Sequence, residues 1–382
     1  MSAIKSLETR FVRIPSKSAY QMGAMETGAT HTLSIFLRLE TENGTVGWSE
    51  CYVTPGWYGA DTPAGAIWLI GSVFAPRLKG VSVFDTEKIE QIMQKSWQLG
   101  NWYPKGLIDI AARDAAARIL GQPLHVLMGG ALRDRWPLSG GIGTERPESM
   151  AASATKFKDR GFKTIKLKID SVDDMDLDIA RIREVRAAVG PDMNIRLDGN
   201  GVYTVPHAIK LCRKIEQFDI ESIEQPVQAH DFKGMAEIRN AIGMPLMADE
   251  SVHTIHDTLA IIEQRAADIV KIKVSKCGGL GPSKRIAELC QAADMEVTVG
   301  NGFNSSHLAT AELQLACSTA GITLAGEFIG PDKLEDDVCA TPMTFENGEA
   351  VLPTGPGLGV EIDHDKLEKY TVDLLASAKA LA

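Results

Sequence analysis

The chain has 382 residues, a formal net charge of −10 and a pI near 5.4. This length suits a barrel of about 250 residues plus a smaller domain. The negative charge argues against nucleic acid and anionic membranes as partners, because both bind basic surfaces. No apolar stretch of the sequence approaches the ~20 residues that span a bilayer, so no membrane association is predicted. The six cysteines form no CxxC pair, which predicts reduced thiols in a cytoplasmic protein.

The first part of the chain has the pattern of an α+β capping domain, predicted over residues 1–130. Residues 4–14 and 31–50 alternate like strands, and the second set folds back at Asn43-Gly44, a strong hairpin signal. Three segments then have apolar residues at helical spacing. They cover residues 62–79, 84–97 and 106–121.

From Pro137 onwards, short strands alternate with amphipathic helices. This order is typical of a (β/α)8-type TIM barrel, modified here by the added cap, and we predict an α/β catalytic domain over residues 131–340. The eight predicted strands are SGGIGT, TIKLKI, NIRLD, ESIEQ, PLMAD, DIVKIKV, EVTVG and ITLAGE. The predicted helices cover residues 147–160, 176–188, 205–217, 231–242, 257–266, 280–293 and 305–319. The remaining segment, 341–382, is expected to return to the cap or to close the barrel.

Ionisable residues close six of these strands at an almost constant spacing. The intervals between them are 30, 26, 25 and 24 residues, and then 54, which is twice 27. Catalytic groups of such a barrel lie at the carboxyl ends of its strands, so these side chains should line one face. They are Lys168, Asp198, Glu224, Asp249, Lys273 and Glu327.

Three of these residues predict a metal site. Asp198, Glu224 and Asp249 end strands three, four and five, which are neighbours. Carboxylates that close together repel one another unless a cation neutralises them. Ligands made only of oxygen favour a hard ion, so we predict Mg²⁺, with Mn²⁺ as a substitute, and a small carboxylate substrate.

The lysines predict acid and base groups on either side of that site. Lys168 and Lys273 end strands two and six, four strands apart in a ring of eight, so their amines should face each other. Lys166 lies on the same face as Lys168, and its charge should lower the pKa of Lys168. This arrangement suits removal and return of a proton α to a carboxylate, through an enediolate that the metal stabilises.

The motifs resemble those of the enolase superfamily, within it the muconate-lactonizing branch of the mandelate racemase/muconate lactonizing enzyme family. They are KLK at 166–168, DGN at 198–200, EQP at 224–226, ADES at 248–251, KIKVSKCGG at 271–279 and EFIGP at 327–331. The resemblance covers nearly the whole chain. It implies that Lys168 and Lys273 are the acid/base pair, that the three carboxylates bind Mg²⁺ and that the cap closes over the site.

By the same resemblance, two cap loops near 16–30 and 52–61 are expected to choose the substrate. The predicted substrate contacts are Glu327, Tyr52, Trp57 and Tyr58, with Trp102 and Tyr103 nearby. Asn200 and Glu250 are predicted to support the metal site from behind. Lys271 and Lys276 are interpreted as structural, and His253 with His256 as a capping or surface pair.

Several functions remain open on the sequence. After strand seven the chain reads VGNGFNSSH rather than the glutamate-containing segment expected of a muconate cycloisomerase. We therefore predict an isomerase, either a cycloisomerase or a racemase/epimerase. The alternatives are a syn-dehydratase using the same enediolate, a Schiff base at Lys273, and a non-catalytic barrel that binds small molecules. A homo-oligomer is expected.

Overall fold

The structure is a computed structural model that describes residues 2–21, 29–53 and 61–374. The N-terminal part of the chain begins with a three-stranded antiparallel sheet. The strands are β1 (Ile4–Tyr20), β2 (Ala29–Thr41) and β3 (Val46–Tyr52), with β2 in the centre. The predicted hairpin turn between β2 and β3 is confirmed. Gly44 has a φ of 84°, and the Asn43 Oδ1 accepts hydrogen bonds from the Thr41 hydroxyl and the Thr45 amide.

Helices cover one face of this sheet. They are α1 (Pro63–Leu69), a π-helical turn (Ile70–Phe74), α2 (Ala75–Leu78), α3 (Thr86–Ser96), α4 (Trp102–Ile119) and α5 (Leu124–Leu127). Helix α4 packs directly on β3 at Gly47, where an added Cβ would lie 2.1 Å from the Ala111 carbonyl oxygen. Buried apolar residues from both layers, among them Leu37, Phe74 and Leu107, form the core between them.

The second part of the chain is a barrel built by strand–helix alternation. After β4 (Arg135–Pro137), seven parallel strands follow one another in sequence order around the sheet. They are β5 (Ser139–Ile142), β6 (Thr164–Lys168), β7 (Asn194–Asp198), β8 (Ser222–Glu224), β9 (Leu246–Ala248), β10 (Ile269–Ile272) and β11 (Glu296–Val299). The helices are α6 (Pro147–Asp159), α7 (Met175–Val189), α8 (Val205–Ile215) with a 3₁₀ turn (Glu216–Phe218), α9 (Phe232–Ala241), α10 (Ile255–Gln264), α11 (Leu280–Ala292) and α12 (Ser306–Ser318). The predicted alternation is confirmed, and these helix bounds lie within two residues of the predicted ones.

The predicted eighth strand, ITLAGE, is not a regular strand. The Glu327 amide donates to the Val299 carbonyl at 2.8 Å, on the β11 side. On the other side, Gly326 donates to the Pro137 carbonyl at 2.8 Å and accepts from the Ser139 amide at 2.7 Å. The ring is therefore closed by a short bridge, in which Gly326 bonds to Pro137 and Ser139 on one side and Glu327 bonds to Val299 on the other.

The last segment contacts both parts of the chain. It contains α13 (Gly330–Lys333), β12 (Phe345–Glu346), β13 (Glu349–Val351) and α14 (His364–Tyr370). Strand β13 pairs with β4, and the Val372 amide donates to the Phe11 carbonyl in β1. Across the residues that the structure describes, no helix combines the length and apolar character that a membrane crossing requires.

Candidate active site

Three carboxylates meet at one edge of the barrel. Asp198 and Glu224 are the last residues of β7 and β8 and lie opposite each other in register, and Asp249 directly follows β9. All three are at most 1% exposed. Glu224 also hydrogen-bonds Asp249 through their side chains. The strands thus bring the three predicted metal ligands together in the interior, as the spacing predicts.

The two predicted acid/base lysines reach this acidic group from opposite sides. The Lys168 ammonium, at the end of β6, lies 2.6 Å from the Asp198 carboxylate. Lys273 follows β10 and forms an ion pair with Asp249. Strands β7, β8 and β9 lie between them, and both lysines line one cavity.

Three further lysines neutralise the same carboxylates. The Lys166 Nζ lies 2.9 Å from Asp198, 3.1 Å from Glu224 and 2.6 Å from Glu327. The sequence interpretation treated Lys271 and Lys276 as structural, and the structure places both against the candidate ligands. Lys271 contacts Glu224 at 2.9 Å and also pairs with Glu327, and Lys276 contacts Asp249 at 2.9 Å.

These contacts shift the pKa values of the acids in opposite directions. Burial alone would raise the pKa of Asp198, but the charges of Lys166 and Lys168 outweigh it and hold that pKa well below its usual range. Burial also opposes the lowering of the Asp249 pKa, which Lys273 and Lys276 cause. The site therefore holds these two carboxylates in their charged form.

Glu224 behaves differently from its neighbours. Burial, followed by the negative charge of Asp198, raises the pKa of the Glu224 carboxyl, and the lysines Lys166 and Lys271 offset this only in part. A carboxyl that resists ionisation beside other acids is one that a cation would stabilise in its charged form.

The pKa of Lys168 is lowered, in the predicted direction. Burial is the largest cause and the charge of Lys166 adds to it, while Asp198 opposes both. The sequence interpretation assigned the shift to Lys166, so the direction agrees but desolvation is the main physical cause.

Two amide side chains hold these groups in place. The Asn200 Oδ1 accepts a hydrogen bond from the Lys168 ammonium at 2.7 Å, and its Nδ2 donates to Glu250 at 2.9 Å. The Gln225 Oε1 accepts from the amides of Asp249 and Ser251, at 3.0 and 3.2 Å. Asn200 and Glu250 were predicted here, whereas Gln225 was quoted only within the EQP motif.

The donor set has the chemistry of a Mg²⁺ site. Among residues 2–21, 29–53 and 61–374, no three carboxylate, histidine or cysteine side chains surround one point as metal ligands. The carboxylate oxygens of Asp198, Glu224 and Asp249 contact lysine ammonium groups instead. These groups are on long side chains, which can change rotamer. Buried oxygen ligands on adjacent strands, compensated by movable cations, fit a hard divalent ion.

The site cavity is small and leads to a larger one. Its free volume of about 20 Å³ would hold one water, because the lysines lie folded onto the carboxylates. An outer cavity of about 430 Å³ lies beside it, formed by the end of β1 and the β5–α6 connection. The two cavities share Tyr20, Gly141, Phe303 and Lys333 in their walls.

Aromatic rings form part of this wall. The Phe303 ring lies edge-on to Tyr20, at 4.9 Å between centroids, and is stacked on Tyr52 at 5.6 Å. Tyr52 is buried, and neither of these two cavities has it in its wall. Two other predicted substrate contacts, Trp57 and Tyr58, lie outside the described residues.

The expectation that Trp102 lies near the site is wrong. It lines a separate cavity of about 260 Å³ between helices α3 and α4 and the loops after β9 and β10. His253 and His256 lie in the wall of this second cavity as well. Tyr103 is buried, and its amide donates to Asp61.

The loop that carries Phe303 is held by the cap. Glu50, in β3, accepts hydrogen bonds from the Ser305 amide at 3.0 Å, the Ser305 hydroxyl at 2.6 Å and the Leu308 amide at 3.1 Å. The Thr32 hydroxyl donates to the Phe303 carbonyl. Two cap strands thus fix the start of α12 and the adjacent wall of the cavity.

Sequence reasoning missed Glu50, Phe303 and Lys333. Glu50 follows a strand pattern with no motif around it, and its partner lies 255 residues away. Lys333 stands two residues after the EFIGP motif, which was the one signal available for it.

The fold and the site together define a class of protein. A parallel α/β barrel under an N-terminal cap, with buried acids and facing lysines at the carboxyl ends of its strands, is an enzyme architecture. The matches to known proteins identify which enzymes these are.

Residues 7–129 match the family model described as "Mandelate racemase / muconate lactonizing enzyme, N-terminal domain". Residues 149–366 match the model "Enolase C-terminal domain-like". The chain belongs to the mandelate racemase/muconate lactonizing enzyme family of the enolase superfamily.

Three similar proteins indicate the reaction type. Chloromuconate cycloisomerase of Cupriavidus pinatubonensis is 29% identical, over 94% of this chain and 96% of its own length. N-succinyl-L-Arg/Lys racemase of Bacillus cereus is 32% identical over 89% and 90%, and its crystal structure superposes with a TM-score of 0.92 over 97% and 98% of the two chains. Dipeptide epimerase of Enterococcus faecalis, solved with Mg and L-Leu-L-Tyr, is 28% identical over 94% and 99%, with a TM-score of 0.88.

The predicted fold class and enzyme type are therefore confirmed. The chain is an isomerase of the cycloisomerase/racemase type on a capped TIM barrel. The Enterococcus protein binds magnesium, which supports Mg²⁺ as the cofactor of the family.

Proposed function

We propose that this protein is a Mg²⁺-dependent racemase or epimerase that moves the proton α to the carboxylate of a small acid. The observation that carries the proposal is the pair Lys168 and Lys273, which line one cavity from opposite strands of the ring. Two bases on opposite faces of an α-carbon are what racemisation requires, because the proton leaves on one side and returns on the other.

In this proposal each lysine acts through its Nζ. Lys168 takes the α-proton from one enantiomer, and Lys273 gives a proton to the opposite face. Asn200 accepts a hydrogen bond from Lys168 at 2.7 Å and so limits the positions its amine can occupy. The lowered pKa of Lys168 favours its neutral form, which is the form that can accept a proton.

Asp198, Glu224 and Asp249 would hold the metal ion. When bound, it would neutralise the negative charge that develops on the substrate carboxylate as the α-proton leaves. Lys166 and Lys271, which lie against Glu224 and Glu327, would surround the same charge from the floor of the cavity.

Other features agree with this assignment. All six cysteines are free and buried, which supports a reducing compartment such as the cytoplasm. The loop after β11 places Asn301, Gly302 and Phe303 at the cavity, with no carboxylate among them.

Two alternative reactions would use the same site. A cycloisomerase would use one of the same two lysines, and a syn-dehydratase would expel water from the same intermediate. The products therefore distinguish these reactions.

The test is proton NMR in D₂O with N-acyl amino acids, dipeptides and muconates. We expect α-proton exchange and inversion at the α-carbon with an unchanged carbon skeleton. Lactone formation would instead identify a cycloisomerase, and loss of water a dehydratase.

Single lysine variants then test the two bases. Lys168→Met and Lys273→Met should each lose racemisation, while each variant retains α-proton exchange with one enantiomer only. Lys210→Met, which alters an exposed lysine on α8, is the matched control. Turnover at the wild-type rate in Lys168→Met would refute the two-base mechanism.

A further inference from the structure

Lys333 is a cation at the site for which the described residues provide no anionic partner. Its Nζ lies 4.2 Å from the centroid of the Tyr20 ring and 4.3 Å from that of Phe303. Across residues 2–21, 29–53 and 61–374, no oxygen atom accepts a hydrogen bond from it and no carboxylate pairs with it. The two rings attract its charge but offer no hydrogen-bond acceptor.

The nearest acids are already engaged elsewhere. Asp332, its sequence neighbour, receives two hydrogen bonds from the Arg160 guanidinium, at 2.8 and 2.9 Å. Glu327 is paired with Lys166 and Lys271. Burial, with the positive charges of Lys166 and Lys168, lowers the pKa of Lys333 to about 7, as expected for an ammonium with no counter-charge.

The segment that carries Lys333 is fixed on both sides. On one side it bonds to two residues of β1. The Lys17 ammonium donates to the Asp332 carbonyl at 2.9 Å, and the Pro15 carbonyl accepts from the Glu335 amide at 2.9 Å. On the opposite side, Gly330 lies against the loop between β11 and α12. An added Cβ at Gly330 would lie 2.2 Å from the Asn304 carbonyl oxygen. Lys333 is therefore held where the inner and outer cavities meet.

We propose that Lys333 binds a second anionic group of the substrate, distal to the carboxylate held at the metal site, so that the preferred substrates are dianionic. This inference rests on the proposed function, since the reacting carboxylate defines which end is distal. Lys333 lines the inner cavity together with Lys168 and Lys273 and also lines the outer one. A substrate reacting between the two lysines would extend past it.

The proposed contact joins the Lys333 ammonium and a distal carboxylate of the substrate. A distal carboxylate would accept a charge-assisted hydrogen bond from the Lys333 ammonium, which the Tyr20 and Phe303 rings shield from water. Hydrogen bonds to charged groups of this kind change affinity by about 10- to 100-fold. The acyl chain of the substrate would lie against the same rings.

The test compares N-succinyl-L-alanine with N-butyryl-L-alanine, which differ only in a carboxylate or a methyl group at the distal end. We expect the Mg²⁺-loaded wild type to bind the succinyl compound about 10- to 100-fold more tightly by calorimetry. Lys333→Met keeps the length of the side chain but not its charge, and the ratio of the two Kd values should fall to near 1. Lys333→Arg should retain most of the preference, and Lys158→Met, at an exposed site on α6, should match the wild type.

The outcomes separate this inference from the proposed function. Equal binding of the two probes by the wild type, including no binding of either, would overturn the inference even if α-proton exchange is observed. The same holds for a preference that survives in Lys333→Met. A Lys333-dependent preference without α-proton exchange would support the distal contact and count against racemisation.

Discussion

Replacement of Glu50 by glutamine should uncouple the cap from the wall of the active site. One carboxylate oxygen of Glu50 accepts from the Ser34 hydroxyl and the Ser305 amide, and the other accepts from the Ser305 hydroxyl and the Leu308 amide. Glutamine keeps the size of the side chain but replaces one of these acceptors with an NH₂ group.

The expected loss in the free energy of unfolding follows from the hydrogen bonds that the glutamine NH₂ group cannot accept. This group can donate to the Ser305 hydroxyl, but it faces the Leu308 amide, which is also a donor. A buried donor left without an acceptor costs about 1–3 kcal/mol. Loss of the negative charge at the amino end of α12 adds up to about 2 kcal/mol in a buried position. We expect Glu50→Gln to lower the free energy of unfolding by about 2–4 kcal/mol.

Urea unfolding followed by circular dichroism measures this change, with equal m-values required for the comparison. Glu42→Gln, at an exposed position in the β2–β3 hairpin, is the control and should stay within about 0.5 kcal/mol of the wild type. The reasoning would be refuted if Glu50→Gln were equally stable. If the loop positions the cavity wall, KM should also rise in Glu50→Gln.

Three further predictions concern separate parts of the molecule. Asn200→Gly preserves the backbone, whose φ is 43°, but removes the contact to Lys168; we expect kcat to fall by about tenfold or more, measured with its pH profile, whereas an unchanged kcat would remove Asn200 from this role. Hydrogen bonds from Lys366, and then from an amide and Tyr370, lower the pKa of Asp336 to about 2, so the stabilisation it gives to α14 is present above pH ~4 and is lost towards pH 2. The Tm difference between wild type and Asp336→Asn should disappear over that range, and a constant difference would contradict the assignment. Chelation should abolish turnover and Mg²⁺ or Mn²⁺ should restore it, with stabilisation of about 2.7 kcal/mol at 100 times Kd; Asp249→Asn should lose this thermal shift, and its persistence would exclude Asp249 as a ligand.

The barrel was predictable because its signal repeats. Each strand–helix unit buries one apolar strand, and the same period is sampled many times along residues 137–320. The prediction of a regular eighth strand was wrong. ITLAGE has the composition of a strand, but Thr323, Leu324 and Glu327 bond to β11 while Gly326 makes the bonds to Pro137 and Ser139. Local sequence does not record which backbone groups find partners on both sides.

The site was predictable where its residues end strands, and less so elsewhere. Topology alone places Lys168 and Lys273 at one edge, because parallel strands finish together. The Glu50–Ser305 contact joins residues 255 positions apart and depends on how the cap sits on the barrel. Lys333 lies on a short helix after the bridge, where no period fixes its direction.

The charges at the site explain why so acidic a group can be buried at all. A buried charge costs several kcal/mol unless a partner compensates it. Five lysine ammoniums form ion pairs with Asp198, Glu224, Asp249 and Glu327, so each of these acids has at least one cation in contact. Lys271 touches two of them and so compensates more than one buried negative charge. Among the described residues, Lys333 stands outside this set of pairs, and in our proposal its charge binds an anion that arrives with the substrate.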